Sequence, residues 1–193
     1  MNKSYLKNFA KNLCWWAYGG TIRNPPLPSD VNSILFICLG NICRSPFAER
    51  IATKYSHTIN KLIFYSAGIL VESPKMPTEE AIVTAMNYGI DLKGHRSRLI
   101  NYRMMESYDA ITTMETWQYK YLRKIFQEFT EKIFLLPLFC NNKDTLDIYD
   151  NYNIKDPYGK NFTDYDECFR RIEGCVSGLL SNIERNKERG QEL

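Results

Sequence analysis

The segment Ser33-Ile-Leu-Phe-Ile-Cys-Leu-Gly-Asn-Ile-Cys-Arg-Ser-Pro46 sets the architecture of this chain. Its first five residues form a continuous apolar run, which is typical of a β-strand buried on both faces. The run stops at a turn with glycine and asparagine, and a helix follows at once, with Ser45 as its cap and Pro46 in its first position. A buried strand followed by a tight turn and a helix indicates a parallel α/β sheet.

The alternation of strand and helix continues along the chain. Apolar runs predict three further strands, over residues 62–66, 109–113 and 132–136. Apolar residues at helical spacing predict helices over residues 77–88, 117–126 and 164–185, the last one after a long polar loop. This order predicts a parallel sheet with helices on both faces, whose ligands bind beyond the carboxyl ends of the strands. The loop that begins at Cys38 follows such an end.

The length of 193 residues suits one domain with a sizeable core. Hydrophobic residues make up 44% and charged residues 24%, which argues against disorder and coiled coil. The formal net charge of +3 comes from the first 30 residues, which hold Asp30 as their one acidic residue against Lys3, Lys7, Lys11 and Arg23. The rest of the chain is formally neutral, which argues against nucleic-acid binding. We therefore expect an N-terminal extension over residues 1–30 and one domain over residues 31–193.

The cysteines and histidines bear on location and on metal binding. Six cysteines, at positions 14, 38, 43, 140, 168 and 175, form no dense framework of small loops, so we expect reduced thiols and a cytoplasmic protein. No apolar run approaches the roughly 18 residues of a membrane span, and the N-terminus lacks a cleavable signal pattern. There is no Cys-x-x-Cys pair, and neither His57 nor His95 has a histidine partner four residues on. We therefore expect no metal and no other cofactor.

The loop after the first strand carries residues suited to phosphoryl chemistry. Gly40 and Asn41 tolerate a positive φ, which lets successive backbone N–H groups converge on one oxyanion. The N-terminus of the following helix adds a partial positive charge, and Arg44 offers a bidentate fork for two phosphoryl oxygens. These surroundings favour the thiolate form of Cys38, which is then a nucleophile beside a bound phosphoryl group. Ser45 can donate its hydroxyl hydrogen to that thiolate and help it leave.

At these residues the chain resembles the low-molecular-weight protein tyrosine phosphatases, whose signature loop is matched from Cys38 to Pro46. The match covers about residues 32–186 and includes Ser66-Ala-Gly68, Gly94-His-Arg-Ser-Arg98, Tyr108-Asp109 and Asp156-Pro-Tyr-Gly159. The resemblance implies a flavodoxin-like three-layer sandwich with a four-stranded parallel sheet. It also implies a phosphate-binding loop made of Leu39, Gly40, Asn41, Ile42, Cys43 and Ser45.

The resemblance further implies a catalytic set of Cys38, Arg44 and Asp156. Release of a phenolate needs a proton, because a phenol has a pKa near 10, and Asp156 is the expected general acid. Taken alone, Asp-Pro-Tyr-Gly is also ordinary turn chemistry. The expected course is attack of Cys38 on phosphorus, followed by hydrolysis of a phosphocysteine intermediate.

Other residues of the resemblance shape the loop and the cleft. Asn41 is similar to a loop-bracing asparagine, and His95 to a histidine that hydrogen-bonds the loop, although a structural histidine is an equal alternative. Cys43 either forms a protective disulfide with Cys38 on oxidation, as in the family, or fills space. Tyr158 is expected to line the cleft beside the acid. The aliphatic residues 69–71 are similar to the wall of bacterial relatives that act on capsule and exopolysaccharide tyrosine kinases, which implies such a kinase as substrate.

Three alternative functions are open at this point. Protein arginine phosphatases and thiol-dependent arsenate reductases use almost the same loop on the same fold. Ile42 favours a tyrosine phosphatase, because arginine phosphatases have a smaller threonine there. Cys140, Cys168 and Cys175 lack the close spacing expected of the shuttle cysteines in arsenate reduction. The third alternative is a phosphate-binding module without catalysis.

The N-terminal extension lies outside the family pattern. Residues 4–18 have an apolar stripe at helical spacing, with Lys7, Lys11 and the preceding Lys3 on the other side, which predicts an amphipathic helix. This helix either contacts a membrane surface or partner, or packs on its own domain or a second subunit. Residues 19–28, with two glycines and three prolines, are predicted to be a linker. The oligomeric state is not predicted.

Overall fold

The computed structural model describes residues 22–56, 62–140 and 148–191, and these residues form an α/β sandwich. Its sheet has four parallel strands in the order β2-β1-β3-β4. The strands are β1 Ser33–Cys38, β2 Ile63–Gly68, β3 Ala110–Thr113 and β4 Ile133–Leu135. The predicted four-stranded parallel sheet is therefore confirmed.

Helices cover both faces of this sheet. The helices are α1 Arg44–Tyr55, α2 Glu79–Asn87, α3 Tyr102–Ser107, α4 Thr116–Ile125, α5 Ile148–Tyr152 and α6 Phe162–Gln191. Successive residues of β1 alternate between the faces: Ile34 and Phe36 join the core beneath α1, α2 and α6, whereas Leu35 and Ile37 join the core beneath α3 and α4. This alternation explains why the strand reads as one unbroken apolar run.

The start of α1 differs from the sequence-based expectation. The helix begins at Arg44, Cys43 is the N-cap residue without a side-chain cap, and the Phe47 N–H donates to the Cys43 carbonyl oxygen over 3.3 Å. The prediction that Ser45 caps the helix is wrong. Ser45 lies inside the first turn, so its hydroxyl is free of the capping role and faces the end of β1 instead.

Two short helices were not anticipated from the sequence. Asn101 caps α3 by accepting a hydrogen bond from Met104 N–H at 3.0 Å. Helix α5 lies within the segment predicted to be a long polar loop. Helices of five or six residues carry too short a periodic pattern to be distinguished from turns in the sequence.

Residues 22–28 pack against the domain, so the prediction of a linker is wrong for this part. The Asn24 side chain pairs with the backbone of Leu135 on edge strand β4, donating over 3.2 Å and accepting over 2.7 Å. The Leu27 carbonyl oxygen accepts from Asn186 Nδ2 of α6 at 2.8 Å. An asparagine side chain here supplies the donor and acceptor that a fifth strand would otherwise provide.

The predicted amphipathic helix over residues 4–18 lies outside the described residues. Among the described residues, no helix has the length and apolar character needed to cross a membrane.

Candidate active site

The residues of the predicted loop gather around the sulfur of Cys38 where β1 ends. Cys38 is buried, its Sγ lies 3.0 Å from Ser45 Oγ, and the Asn41 N–H donates to Sγ over 3.2 Å. Donors aimed at one sulfur stabilise its anionic form. The segment from Cys38 to Ser45 is called the Cys38 loop below.

Asn41 provides the turn of the Cys38 loop. Its φ of 52° is the one positive value among the non-glycine residues that the structure describes. Its side chain is held on both sides: Nδ2 donates to Ser45 and Ser66 over 2.9 Å each, and Oδ1 accepts from Arg98 N–H over 3.0 Å. Of the two residues that tolerate a positive φ, Asn41 adopts it and Gly40 does not, so a single left-handed residue with a braced side chain completes the turn.

His95 supports the loop from behind. Its Nε2 lies 2.8 Å from the Asn41 carbonyl oxygen. Burial lowers the pKa of His95 to about 4, although the hydrogen bond to Asn41 and the nearby arginines also contribute, in opposite directions. The ring is therefore neutral at pH 7, and Nε2 carries the hydrogen because a carbonyl oxygen can only accept.

Arg44 is almost fully enclosed and is held by two carboxylates. Its Nη1 donates to Glu115 Oε1 at 2.6 Å and to the Ile154 carbonyl oxygen at 3.0 Å, and its Nη2 is paired with Asp156 Oδ2. Burial opposes its charge, but Cys38, Asp156 and Glu115 outweigh this penalty and raise the pKa of Arg44 above its ordinary value. The guanidinium is therefore a fixed cation beside Cys38.

Glu115 was not identified from the sequence. It is the N-cap residue of α4 and lies two residues beyond the end of β3. The position of Glu115 in the sequence could have identified it as a candidate site residue. It is an acidic residue just after the carboxyl end of a strand beside β1, at the edge of the sheet where ligands bind.

Asp156 reaches the same place from the loop before α6. The Ile154 N–H donates to the Met114 carbonyl oxygen over 2.8 Å, which ties this loop to the end of β3. The Asp156 side chain is 36% exposed, and Oδ1 accepts from Tyr158 N–H over 3.2 Å. One carboxylate oxygen thus faces Arg44 and the other closes a local turn.

A cleft of about 260 Å³ connects these groups with the surface. Cys38, Arg44 and Asp156 all line it, together with the loop residues Leu39, Gly40, Ile42 and Cys43. Of the predicted aliphatic wall, Leu70 and Val71 line the cleft, whereas Ile69 packs into the core beneath α3 and α4. Tyr158 lines the cleft and is 62% exposed. Asn41, Ser45 and His95 do not line it, and their side chains brace the Cys38 loop through the hydrogen bonds described above.

Cys43 lines the cleft as a free thiol, as does Cys38. Its Sγ lies 3.7 Å from Tyr165 OH and 3.9 Å from Thr78 Oγ1. Burial raises the pKa of Cys43 to about 12, so it is a neutral thiol at pH 7. The redox disulfide between Cys38 and Cys43 stays a prediction. Among the described residues, no group of three histidines, cysteines or carboxylates is arranged to hold a metal ion.

Comparison with known proteins gives one consistent family. Residues 33–189 match the family described as low molecular weight phosphotyrosine protein phosphatase. The low molecular weight protein-tyrosine-phosphatase Wzb of Escherichia coli K12 is 37% identical over 118 residues, which are 61% of this chain and 78% of Wzb.

Two solved structures place the fold in the same group. The tyrosine phosphatase Wzb from Escherichia coli K30 has a TM-score of 0.68 and 27% identity, over 78% of this chain and 97% of that one. The YwlE arginine phosphatase from Geobacillus stearothermophilus has a TM-score of 0.71, over 82% of this chain and 96% of that one, but its 22% identity shows the fold alone. The chain belongs to the low molecular weight phosphotyrosine protein phosphatase family.

Proposed function

We propose that this protein hydrolyses phosphotyrosine in proteins through a phosphocysteine intermediate. The observation that carries the proposal is the common cleft in which the Cys38 thiol, the Arg44 guanidinium and the Asp156 carboxyl group meet. A nucleophile, a fixed cation and a proton donor within one cleft are the three groups that transfer of a phosphoryl group from an aryl ester requires.

In the first step the Cys38 sulfur attacks phosphorus and the bond from phosphorus to the phenolic oxygen breaks. Asp156 gives its proton to that oxygen, so tyrosine leaves as a neutral phenol. Arg44 and the backbone N–H groups of the Cys38 loop stabilise the three equatorial oxygens. Because Nη2 of Arg44 is paired with Asp156, a phosphoryl group that takes over this nitrogen releases Asp156 toward the leaving group.

In the second step water attacks the phosphocysteine and the sulfur–phosphorus bond breaks. The Asp156 carboxylate takes a proton from the water, and the Cys38 thiolate leaves. Ser45 Oγ at 3.0 Å and the Asn41 N–H at 3.2 Å supply hydrogen-bond donors that stabilise the departing sulfur anion.

The walls of the cleft support an aromatic phosphoester as the substrate. A phenyl ring entering the cleft can pack on Leu70, Val71 and the ring of Tyr158. The aliphatic wall formed by Leu70 and Val71 supports the proposal that the physiological substrate is a bacterial tyrosine kinase of polysaccharide export. Such a substrate and the free thiols of the site support a cytoplasmic location.

The rival functions have less support. Ile42 lines the cleft and narrows the space that a phosphoarginine guanidinium would need. Burial raises the pKa of Cys168, which makes it a poor shuttle nucleophile for arsenate reduction. A phosphate-binding module without catalysis is less consistent with the position of Asp156, because a carboxylate paired with Arg44 competes with a bound phosphate for that cation.

Turnover of p-nitrophenyl phosphate, a phosphotyrosine peptide, a phosphoarginine peptide and arsenate tests these functions together. We expect the wild-type protein to prefer the phosphotyrosine peptide. Cys38→Ser should lower kcat by at least about 1000-fold while phosphate still binds, because the nucleophile alone is lost. Cys140→Ser, outside the cleft, is the matched control and should keep its activity. Near-normal turnover by Cys38→Ser would overturn the proposal.

A further inference from the structure

Glu49 is a buried carboxylate that the mechanism above does not use. It lies on α1, five residues after Arg44, and is 8% exposed. None of the ion pairs among the described residues includes it. Its Oε2 instead accepts a hydrogen bond from Ser66 Oγ at 2.6 Å. A buried carboxylate that depends on a hydroxyl donor fixes where that hydroxyl points its hydrogen.

The hydrogen bond to Glu49 makes Ser66 an acceptor toward the Cys38 loop. A serine hydroxyl has one hydrogen, and Ser66 directs it to Glu49. The Ser66 oxygen can then only accept from its other neighbour, which is Asn41 Nδ2 at 2.9 Å. The contact with Glu49 therefore favours the amide orientation in which Asn41 presents nitrogen to Ser66.

That amide orientation sets the role of Ser45. The second hydrogen of Asn41 Nδ2 goes to Ser45 Oγ at 2.9 Å, so the Ser45 oxygen accepts and its own hydrogen remains to be donated. The available acceptors are Cys38 Sγ at 3.0 Å and the Ala67 carbonyl oxygen at 3.3 Å. A thiolate is the stronger acceptor of the two because the hydrogen bond to it is charge-assisted.

The opposite amide orientation would reverse this chain of hydrogen bonds. With the Asn41 amide rotated by half a turn, its oxygen would accept from Ser45, and the serine would present a lone pair to the Cys38 sulfur. Two contacts oppose that state: Arg98 N–H donates to Asn41 Oδ1 at 3.0 Å, and Ser66 has its hydrogen committed to Glu49. Removing Glu49 removes one of these two restraints.

We propose that Glu49 is a positioning residue of this site. Its carboxylate fixes the direction of the chain Glu49–Ser66–Asn41–Ser45, so that Ser45 donates to the Cys38 thiolate. The consequence for catalysis rests on the proposed phosphatase function, in which that thiolate attacks and then leaves. The direction of the chain itself does not depend on turnover.

Removal of the Glu49 carboxylate has opposite expected effects on the Cys38 thiolate, depending on whether Glu49 acts by its negative charge or by the direction of its hydrogen bonds. If Glu49 acted only by its negative charge, its removal would favour the Cys38 thiolate. If Glu49 acts through hydrogen-bond direction, its removal disfavours the thiolate. Arg44 and the Cys43 thiol interact electrostatically with Cys38, and Asp156 acts on both of them. Glu49 acts on the Tyr108 hydroxyl, on which Arg98 also acts. All of these groups except Glu49 itself are retained in the variants below.

The test compares Glu49→Ala and Glu49→Gln with wild type. Iodoacetate alkylation of Cys38 is followed against pH by peptide mass spectrometry, which separates Cys38 from Cys43. Glu49→Ala should move the alkylation midpoint upward by about 0.5 in pH and lower kcat for p-nitrophenyl phosphate about tenfold, with KM nearly unchanged. Glu49→Gln should stay within about twofold of wild type, because an amide oxygen can still accept from Ser66.

Two controls separate a positioning role from damage to the fold. Glu188→Ala removes an exposed carboxylate of α6 and should leave both readouts unchanged. In a Ser66→Ala background, Glu49→Ala should cause no further loss of kcat and no further shift of the alkylation midpoint. The reason is that the Ser66 hydroxyl, which connects Glu49 with Asn41, is already absent. Urea unfolding of each variant identifies any that fail to fold. If Glu49→Ala does not fold, the alkylation midpoint and kcat of Glu49→Gln still test the proposal.

Three results would overturn the proposal: a downward or absent shift of the alkylation midpoint in Glu49→Ala, a Glu49→Gln protein that behaves like Glu49→Ala, or additive losses with Ser66→Ala. A wild-type protein without phosphatase activity would instead contradict the proposed function. The alkylation profile of Cys38 would still report on Glu49 in that case.

Discussion

Gly68 lies so close to Leu39 that a Cβ atom on Gly68 would be 2.8 Å from the Leu39 carbonyl oxygen. The same Cβ atom would lie 3.0 Å from the Asn41 nitrogen. The residues after Gly68 support the Cys38 loop directly, since Ile69 N–H donates to the Cys38 carbonyl oxygen at 3.1 Å and Leu70 N–H donates to that of Leu39 at 2.9 Å. The end of β2 is thus part of the scaffold of the site.

Gly68→Ala should displace the Cys38 loop, because the new methyl group meets backbone atoms that have no room to yield. We expect the free energy of unfolding to fall by about 1–3 kcal/mol and kcat/KM to fall more than tenfold. Gly94→Ala is the matched control, since its Cβ would meet no atom within 4 Å. Urea unfolding and p-nitrophenyl phosphate turnover measure both effects, and equal activity of the two variants would contradict this account of β2.

Asp156→Ala should slow the first step most for poor leaving groups, because the proton donor is lost. We expect kcat for phenyl phosphate to fall by about 100-fold or more, and kcat for p-nitrophenyl phosphate to fall less. Asp164→Ala, on α6 and outside the cleft, should keep wild-type rates for both esters. A loss that is equal for the two leaving groups would argue against Asp156 as the acid.

Glu115→Ala should weaken catalysis through Arg44, because one of the two carboxylates that hold the guanidinium is removed. A hydrogen bond to a charged group contributes about 1.5–3 kcal/mol, so kcat/KM should fall by about tenfold to a hundredfold. Glu115→Gln should lose less, since its amide oxygen can still accept from Nη1. The exposed Glu131→Ala serves as control, and an unchanged kcat/KM in Glu115→Ala would show that Arg44 needs no such support.

His95 should make the free energy of unfolding depend on pH. Burial lowers the pKa of His95 from 6.5 to about 4, so between these values the unfolded chain binds a proton that the folded protein excludes. The neutral His95 ring therefore makes its full contribution to the free energy of unfolding above pH 6.5. This contribution is lost as the pH falls toward 4, by at most about 3 kcal/mol. Urea unfolding at pH 7.0, 5.5 and 4.5 should show a smaller pH dependence in His95→Gln than in wild type. Equal slopes for the two proteins would contradict the prediction.

Two N-terminal deletions should separate the docked segment from the residues before it. Deleting residues 1–30 removes the contacts of Asn24 and Leu27 with β4 and α6 and should cost about 1–3 kcal/mol of unfolding free energy. Deleting residues 1–21 keeps those contacts and tests the proposed role of the extension. Melting temperature, oligomeric state and liposome binding are measured for both proteins. If the shorter deletion changes none of the three, both the membrane and the packing hypotheses for residues 4–18 fail.

Local sequence was sufficient for the sheet and for the central residues of the site. A buried strand reads as an unbroken apolar run, and a turn that needs a left-handed residue takes asparagine, so β1, the Cys38 loop and α1 were predictable within a residue or two. The linker prediction was wrong for residues 22–28 because proline also occurs in a segment that packs along a sheet edge. The short helices α3 and α5 were not predicted, because one or two helical turns contain too few residues to show a helical period of apolar positions.

The sequence by itself determined that Cys38, Arg44 and Ser45 would lie together, because they belong to one continuous turn whose conformation follows from its own residues. Only the tertiary structure decided their partners. Glu115 reaches Arg44 across 71 positions of the chain, and Asp156 across 112. Ser66 and His95 likewise reach Asn41 from other elements, 25 and 54 residues away. Burial then set the neutral state of His95, since its lowered pKa depends on the removal of water by packing and not on neighbours in the sequence.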